Sequence, residues 1–394
     1  MVRLTGTTVR GIRAPIIREG DDLVNIVADS VLKAAESESF TIRNRDVIAI
    51  TEAIVARAQG NYATVDQIAA AIKQIFPSGR AGIVFPILSR NRFATLLKGF
   101  ARALDHITMQ MSYPNDEVGN ALVSIDQIDE TDVNPYSDVL SEERFRTLFG
   151  NNPHPFTKVN YMSLYHEICR EEGCDLKIIL ANDVREILKY EDNILTCDVH
   201  NRKRSLRLLR KAGAADAYNL ENILTDSIEG SGYNPRFGLL GANKATEEIV
   251  KLFPRDSQNY VDAIQGQMLQ RTGKKVEVMV YGDGAFRDPV YQIWELADPV
   301  VSPAYTEGLA GTPNEIKLKY VADNEFADLA GNDLREAISE FIHLQKEEDK
   351  DSSLGTTPRR IFDLLGSLSD LTSGSGDKGT PIVLIQGYFD TYAD

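Results

Sequence analysis

The run Val276-Glu277-Val278-Met279-Val280-Tyr281-Gly282-Asp283-Gly284-Ala285-Phe286-Arg287-Asp288-Pro289 decides how the rest of the chain is interpreted. Apolar and β-branched side chains fill its first half, which predicts a buried strand. The strand ends at Asp283, and ligands of α/β proteins bind beside the carboxyl ends of strands. Two carboxylates at such an edge, Asp283 and Asp288, could hold a divalent cation. The alternative is that Asp283-Gly284 forms only a turn.

The composition is that of a globular protein with a strong negative charge. The chain has 394 residues, 43% hydrophobic and 26% charged, so two domains or one elaborated α/β domain are expected. No apolar run is long enough for a transmembrane helix, and Met1–Gly6 lacks the apolar core of a signal peptide. The three cysteines have no paired spacing, which favours a reducing cytoplasm. The net charge of −15 argues against a nucleic-acid partner but does not exclude anionic small molecules.

Capping residues and apolar spacing predict the first elements. Asp21 and Asp22 cap a helix that starts at Leu23, and Thr64-Val65-Asp66-Gln67 is a capping box for another helix. Between them, the apolar run Asp46–Thr51 predicts a buried strand. From Asp175 to Leu224, strands alternate with helices, which predicts parallel βαβ units.

The last third of the chain is predicted to mix strands, helices and a glycine-rich loop. Phe237–Lys244 and Ile316–Val321 are predicted strands, and Gly273 closes a predicted helix. The loop Thr372–Thr380 contains one lysine and precedes a final strand, Pro381–Tyr388. Such a loop can wrap phosphates with its amides, although it lacks the Walker pattern. The alternative is an ordinary surface loop.

Two further groups of polar residues lie near predicted strand ends. Ser89-Arg90-Asn91-Arg92 starts a helix, where amides and arginines favour an anion; solvated arginines are the alternative. Asp183, Asp198 and His200 follow strands of the alternating block. A metal site formed by Cys197, Asp198 and His200 is disfavoured, because successive strand residues face opposite sides.

Four separated segments resemble, in the same order, motifs of the coenzyme F-420 γ-glutamyl ligase family. They are Pro15–Leu23, Asp46–Gly60, Leu240–Asn243 with Asp256-Ser257 and Asp283–Arg287, and Gly379–Tyr388. Each motif is short, but four in one order are hard to produce by chance. The resemblance implies an α/β fold of mixed sheets with flanking helices. Residues 1–79 and 236–394 would form a ligase-like core, and 80–235 a central α/β block or insertion.

The resemblance also implies an activity. Enzymes of this family use GTP and a divalent metal, Mg²⁺ or Mn²⁺, to turn a substrate carboxylate into an acyl phosphate. The amine of L-glutamate, or of a similar amino acid, then attacks to form an amide. Cations are needed in such a site because they neutralise the phosphates during transfer. The family further implies a homodimer.

Site residues follow from the aligned motifs. The implied catalytic residues are Asp283 and Arg287, and the implied metal ligands are Asp283 and Glu247. The implied cofactor-binding residues are Ala14, Pro15, Ile16, Ile17, Glu52, Arg57, Ser373, Gly374, Gly376, Asp377, Lys378 and Gly379.

Two positions depart from the family pattern. Gly284 stands where the family has threonine, and Glu247 stands where it has aspartate. These departures favour an alternative, a non-catalytic relative that binds a nucleotide or another ligand. A second alternative is an unrelated hydrolase or kinase that uses Asp183 and Asp198, and it predicts that both cluster with Asp283.

Overall fold

A computed structural model describes residues 5–154, 157–283, 285–287, 294–296, 302–313, 316–348, 359–374 and 376–393. The chain divides into two compact units. Unit 1 comprises Met1–Val55, Asp256–Gly284 and Val300–Asp394, and unit 2 comprises Ala56–Arg255 and Ala285–Pro299. Within the described ranges, no helix is both long and apolar enough to cross a lipid bilayer.

The strands are numbered in chain order. They are β1 (Thr8–Ile12), β2 (Val47–Thr51), β3 (Tyr62–Thr64), β4 (Arg80–Val84), β5 (His106–Met111), β6 (Leu140–Ser141), β7 (Asp175–Leu180), β8 (Asn193–Thr196), β9 (Asp216–Asn219), β10 (Asn243–Lys244), β11 (Ile249–Lys251), β12 (Glu277–Tyr281), β13 (Ala285–Arg287), β14 (Trp294–Leu296), β15 (Ala304–Tyr305) and β16 (Ile382–Gln386).

The α-helices are numbered in the same way. They are α1 (Leu23–Ser37), α2 (Glu52–Ala58), α3 (Val65–Ile75), α4 (Thr95–Ala103), α5 (Ile125–Asp129), α6 (Glu142–Phe149), α7 (Tyr161–Glu171), α8 (Arg202–Lys211), α9 (Ser257–Thr272), α10 (Leu318–Asn324), α11 (Gly331–Glu348) and α12 (Ile361–Ser373). A π-helix, Arg90–Ala94, precedes α4, and Val184–Lys189 forms a 3₁₀ helix.

Unit 1 is built on a mixed five-stranded sheet. Its strand order is β1-β16-β2-β12-β15, and only β2 and β12 are parallel. Side chains of both central strands are buried on both faces, which explains their continuous apolar sequence. On one face, Val47, Met279 and Val383 pack with Leu365 of α12. The opening sequence run is therefore a central strand, as predicted.

Unit 2 contains a six-stranded sheet with strand order β6-β7-β5-β4-β8-β9. All neighbours are parallel except β6, which runs antiparallel to β7 at the edge. The parallel βαβ arrangement predicted from the alternating block is confirmed. Leu206 and Leu209 of α8 pack against Val84 and Ile194 on one face of the sheet. Arg102 of α4 holds Glu172 through paired hydrogen bonds of 2.8 and 2.9 Å.

The capping predictions are also confirmed. Asp22 caps α1 by accepting a hydrogen bond from the amide of Asn25. Thr64 and Gln67 form a reciprocal capping box at the start of α3. Gly273 ends α9 with a φ of 68°, a conformation that glycine adopts without a Cβ penalty.

Two predicted strands are wrong. Phe237–Lys244 forms turns up to Ala242, and only Asn243–Lys244 is a strand. The run turns because Gly241 has a φ of 75°, and a Cβ there would lie 2.1 Å from the ring of Phe253. The segment predicted as the strand Ile316–Val321 instead leads into the helix α10.

The fold class, α/β with mixed sheets and flanking helices, is confirmed. The division between the units falls at Val55/Ala56 and Arg255/Asp256. The segment 80–235, predicted to be a central block or insertion, lies entirely within unit 2.

Candidate functional site

Two segments predicted to bind nucleotide meet in unit 1. β1 pairs antiparallel with β16, with Ile12 opposite Ile382, so the chain after β1 runs beside the chain before β16. The amide of Ala14 donates a hydrogen bond to the carbonyl of Gly379 at 3.2 Å. Further along, Ile16 is 79% exposed, whereas Ile17 is buried. The sheet register therefore places Ala14 at the glycine-rich loop.

The glycine-rich loop is shaped by glycines and a lysine. α12 ends at Ser373, whose carbonyl accepts a hydrogen bond of 2.9 Å from the Thr380 hydroxyl. Gly374 has a φ of 63°, and a Cβ on it would lie 2.6 Å from Nζ of Lys378. Gly376–Lys378 forms one 3₁₀ turn, and Gly379 has a φ of 63°. The lysine thus folds back over Gly374, and a side chain at this position would displace it.

A groove of about 1030 Å³ lies between β1, α1 and this loop. Its cationic lining residues are Arg10, Arg13, Lys33 and Lys378. Arg10 is already engaged, because it donates a hydrogen bond of 2.8 Å to Gln386. Two carboxylates, Asp29 and Glu38, also line the groove, so cations outnumber anions by two. This excess favours an anionic ligand such as a polyphosphate.

Asp283 lies near the same loop, at the end of β12. It is exposed, whereas Tyr281, two residues earlier, is 2% exposed. Burial raises the pKa of Tyr281 to about 12; a contact with Ser373 opposes this rise, and the charges of Asp370 and Asp283 add to it. The pKa of Tyr281 therefore responds to all three residues. Sequence patterns did not single out Tyr281 or Asp370, because nothing in their spacing relates α12 to β12.

Asp283 and Asp370 are two carboxylates whose charges both act on Tyr281. The described residues contain no group of three or more His, Cys, Asp or Glu side chains arranged to hold a metal. Mg²⁺ usually takes only one or two protein carboxylates and completes its shell with water and substrate phosphates. Asp283, exposed and beside the predicted phosphate loop, has the chemistry for that role.

The second predicted metal ligand, Glu247, belongs to unit 2. It lies in the turn between β10 and β11, its side chain is 83% exposed, and it pairs with Lys244. Its neighbour Glu248 pairs with Lys98 and Arg102, which lower the pKa of Glu248. Metal binding by Glu247 stays a prediction.

Three other predicted site residues have separate locations. Glu52 is buried and opens α2 directly after β2. Arg57 is exposed in the last turn of α2 and belongs to unit 2. Arg287 lies in β13, and its side chain falls outside the described part of the chain, as do Gly284 and Asp288. Their predicted roles stay predictions.

Unit 2 carries a cavity of about 310 Å³ at the carboxyl end of its sheet. Ser89 caps the π-helix by accepting a hydrogen bond of 3.2 Å from the amide of Arg92. Arg90, Arg92, Cys197 and His200 are among the lining residues. π-Helical turns often occur at functional sites, which adds to the anion-binding interpretation of this segment.

The aspartates of the alternating block belong to unit 2. Asp183 pairs with Arg185, and Asp198 is buried beside Ser205. Asp283 belongs to unit 1. The clustering expected of a hydrolase or kinase that uses these aspartates therefore stays a prediction.

The fold and these sites describe an α/β protein whose first unit joins a cationic groove, a glycine-rich loop and an exposed strand-end aspartate. Residues 11–387 match the F420-0:Gamma-glutamyl ligase family, and the chain belongs to that family. The match covers nearly the whole chain, so it confirms the resemblance read from four short motifs. No curated protein matches the chain.

Proposed function

We propose that the protein is a GTP- and divalent-metal-dependent ligase that joins L-glutamate, or a similar amino acid, to a substrate carboxylate. Family membership supports a ligase of the F420-0 γ-glutamyl ligase type. The observation that carries the finer proposal is in unit 1. There the Ala14–Gly379 hydrogen bond closes a cationic groove beside the loop near which Asp283 lies.

The nucleotide phosphates would lie along the loop and the groove. Lys378 supplies a positive charge to the groove, and the glycines of the loop let its backbone approach a phosphate closely. The amides of Gly374 and Gly379 donate to the carbonyls of Asp370 and Gly376, so a phosphate would have to replace these acceptors to bind them. Asp283 would hold Mg²⁺ or Mn²⁺, with Asp370 near enough to add a second negative charge. The metal, when bound, supplies charge neutralisation at the transferred phosphoryl group.

The reaction proceeds in two displacements. A carboxylate oxygen of the acceptor attacks the γ-phosphorus of GTP, the bond from that phosphorus to the β,γ-bridging oxygen breaks, and GDP leaves. The amine of glutamate then attacks the acyl carbon, inorganic phosphate leaves with the former carboxylate oxygen, and the ammonium product loses a proton. The chain's residues position phosphates and acceptor, and such positioning contributes most of the rate in phosphoryl transfer.

The non-catalytic alternative rests on Gly284 and Glu247. Gly284 lacks the hydroxyl of the family threonine, and Glu247 is one methylene longer than the family aspartate. The retention of Asp283, whose charge acts on Tyr281 as Ser373 does, supports the enzyme. Because Mg²⁺ accepts water in place of a missing side-chain ligand, these departures leave a workable donor set.

The test measures phosphate release and product mass. The protein is incubated with GTP, Mg²⁺ or Mn²⁺, L-glutamate and a panel of carboxylates that includes coenzyme F420-0. We expect GDP, phosphate and an amide in equal amounts, only when acceptor and glutamate are both present. Metal-dependent GTP binding without turnover on any acceptor would favour the non-catalytic relative. If the protein shows no GTP binding and no turnover, both the ligase and the non-catalytic nucleotide-binding relative are excluded.

The proposed assembly is a homodimer in the cytoplasm that acts on small molecules. Light scattering coupled to size-exclusion chromatography tests the dimer directly. A mass near 44 kDa, that of a single 43.7 kDa chain, would contradict it.

A further inference from the structure

The six-stranded sheet of unit 2 reverses its winding between β4 and β8. From β4 the chain proceeds through β5 to β7 on one side, and β8 and β9 lie on the other. In doubly wound sheets, such a reversal opens a crevice at the carboxyl ends of the strands, where ligands bind. A cavity of about 180 Å³ lies there, distinct from the cavity of about 310 Å³ that Arg90 and Arg92 line. Its lining includes residues that follow four parallel strands: Phe85, Ser112, Asn182 and Asp198.

Asp198 lines this cavity, and one of its carboxylate oxygens is buried without a hydrogen-bond partner among the described residues. Its side chain is 1% exposed, and Oδ2 accepts a hydrogen bond of 2.6 Å from the Ser205 hydroxyl. Among the described residues, none donates a hydrogen bond of regular geometry to Oδ1, although the Thr196 hydroxyl and the amide of Asp198 itself lie close enough to the carboxyl to lower its pKa slightly. A buried carboxylate oxygen without a donor is costly, because the water lost on folding is not replaced. An ammonium group in the cavity would supply that donor with a charge-assisted hydrogen bond.

The surroundings of Asp198 favour a cation over an anion. Glu117, which also lines the cavity, accepts hydrogen bonds from the amides of His200 at 3.1 Å and Asn201 at 3.3 Å. It therefore occupies the start of α8, where a free anion would otherwise bind. Burial, opposed by the Ser205 hydrogen bond and reinforced by the Glu117 charge, raises the pKa of Asp198 to about 6. A positive ligand would relieve this unfavourable field.

A positively charged side chain, Arg204, also lines this cavity. Arg204 stands in the first turn of α8 and is exposed. In the described ranges it makes no ion pair. Its charge acts on the nearby Asp183, which Arg185 holds through hydrogen bonds of 2.9 and 3.1 Å. The guanidinium of Arg204 is thus available to bind a carboxylate in a bidentate manner.

We propose that this cavity binds a small amino acid, with its ammonium group on Asp198 and its carboxylate on Arg204. One ligand would then supply a hydrogen-bond donor to Oδ1 of Asp198 and an acceptor to the guanidinium of Arg204. The cavity volume restricts the ligand to a small side chain, since drug-sized ligands fill roughly 300–1,000 Å³. The proposal does not rest on the ligase function, because every residue involved belongs to unit 2.

The test is isothermal titration calorimetry of the full chain with the standard L-amino acids. We expect at least one to bind with 1:1 stoichiometry. The matching acid without the amine, and the matching amine without the carboxylate, should bind at least about tenfold more weakly, since each loses a charge-assisted contact. Failure of every amino acid to bind, or equal binding of either truncated analogue, would overturn the proposal.

Variants locate the site. Asp198→Asn and Arg204→Gln should each weaken binding at least about tenfold, whereas Arg207→Gln, on an exposed position of the same helix, should not. Asp283→Asn should also leave this binding unchanged, which separates it from the ligase site. Circular dichroism checks folding, and if Asp198→Asn does not fold, Arg204→Gln decides alone. Unchanged affinity in Arg204→Gln would contradict the proposed site.

Discussion

The backbone amide of Ala14 and the carbonyl of Gly379 are joined by a hydrogen bond of 3.2 Å, although 365 positions separate them in sequence. This contact fixes the segment after β1 against the loop before β16. Backbone contacts of this kind depend little on side-chain identity, so the geometry can persist while the loop sequence varies. The contact forms one wall of the groove to which we assign the nucleotide.

Gly374 should be essential for nucleotide binding. An alanine there would place its Cβ 2.6 Å from Nζ of Lys378, in a backbone conformation with φ of 63° that costs a non-glycine residue about 1–3 kcal/mol. We expect Gly374→Ala to weaken GTP binding at least about tenfold, measured by calorimetry. Gly266→Ala in α9 is the control, because nothing lies within 4 Å of its added Cβ and it lies outside the loop. Equal affinities of the two variants would remove Lys378 and this loop from the site.

Asp283 should be required for metal-dependent turnover. Replacing the carboxylate with the isosteric amide in Asp283→Asn removes the charge that would hold the cation. We expect at least about a 100-fold fall in kcat, since even outer partners of metal ligands contribute 10–100-fold. Asp323→Asn, at an exposed position of α10, should behave like the wild type. A variant at Asp283 with full activity at low Mg²⁺ concentration would assign the metal elsewhere.

Asp198 should make unit 2 less stable as the pH rises. Its pKa is raised from 3.8 to about 6, so between these values the folded state binds more protons than the unfolded state. Stability then falls as the pH rises through this range, by up to about 3 kcal/mol by pH 7. Asp198→Asn should reduce this dependence but not abolish it, because burial also raises the pKa of Asp116 in unit 2 to about 6. Asp192→Asn, at an exposed position, should keep the full dependence. Urea unfolding at pH 4.5 and pH 7.5 gives the comparison, and parallel pH dependence in all three proteins would refute the assignment.

Gly99 should be needed for the close packing of α3 and α4. A Cβ at this buried position would lie 2.6 Å from Cγ2 of Ile68, whose branched side chain has few alternative rotamers. We expect Gly99→Ala to destabilise the protein by about 1–3 kcal/mol in denaturant unfolding. Gly266→Ala in α9 meets no atom within 4 Å and should instead stabilise it by about 0.5–1 kcal/mol. Stabilisation by both changes would show that α3 can shift to accept the methyl group.

Local physical signals predicted the regular elements well. The side chains of Thr64 and Gln67 each accept a hydrogen bond from the backbone amide of the other residue. Because all four groups lie within four residues of sequence, the capping box can be predicted without tertiary information. The β12 run is apolar because both of its faces are covered. Phe237–Lys244 misled the prediction because apolar residues in tight turns can be buried as fully as those in a strand. The close approach of Phe253 that requires Gly241 is a tertiary contact that the local sequence does not carry.

The candidate nucleotide and metal site of unit 1 could be proposed from the sequence only through the resemblance to a family. Asp283 attracted notice as a strand-end aspartate, but its neighbours Tyr281 and Asp370 come from elements whose pairing is not encoded locally. Likewise, the sequence placed Asp198 at a strand end without showing that Ser205 satisfies only one of its oxygens. Such relationships depend on strand order and helix docking, which arise from packing across the whole unit.

If the reaction passes through an acyl phosphate, an oxygen atom of the acceptor carboxylate must end in the released phosphate. The acceptor is labelled with ¹⁸O in its carboxylate and turned over with GTP, Mg²⁺ and L-glutamate, and the released phosphate is examined by mass spectrometry. An acyl phosphate intermediate requires that one ¹⁸O atom passes from the carboxylate to each phosphate released with amide formation. Amide formation that leaves all of the phosphate unlabelled would contradict it.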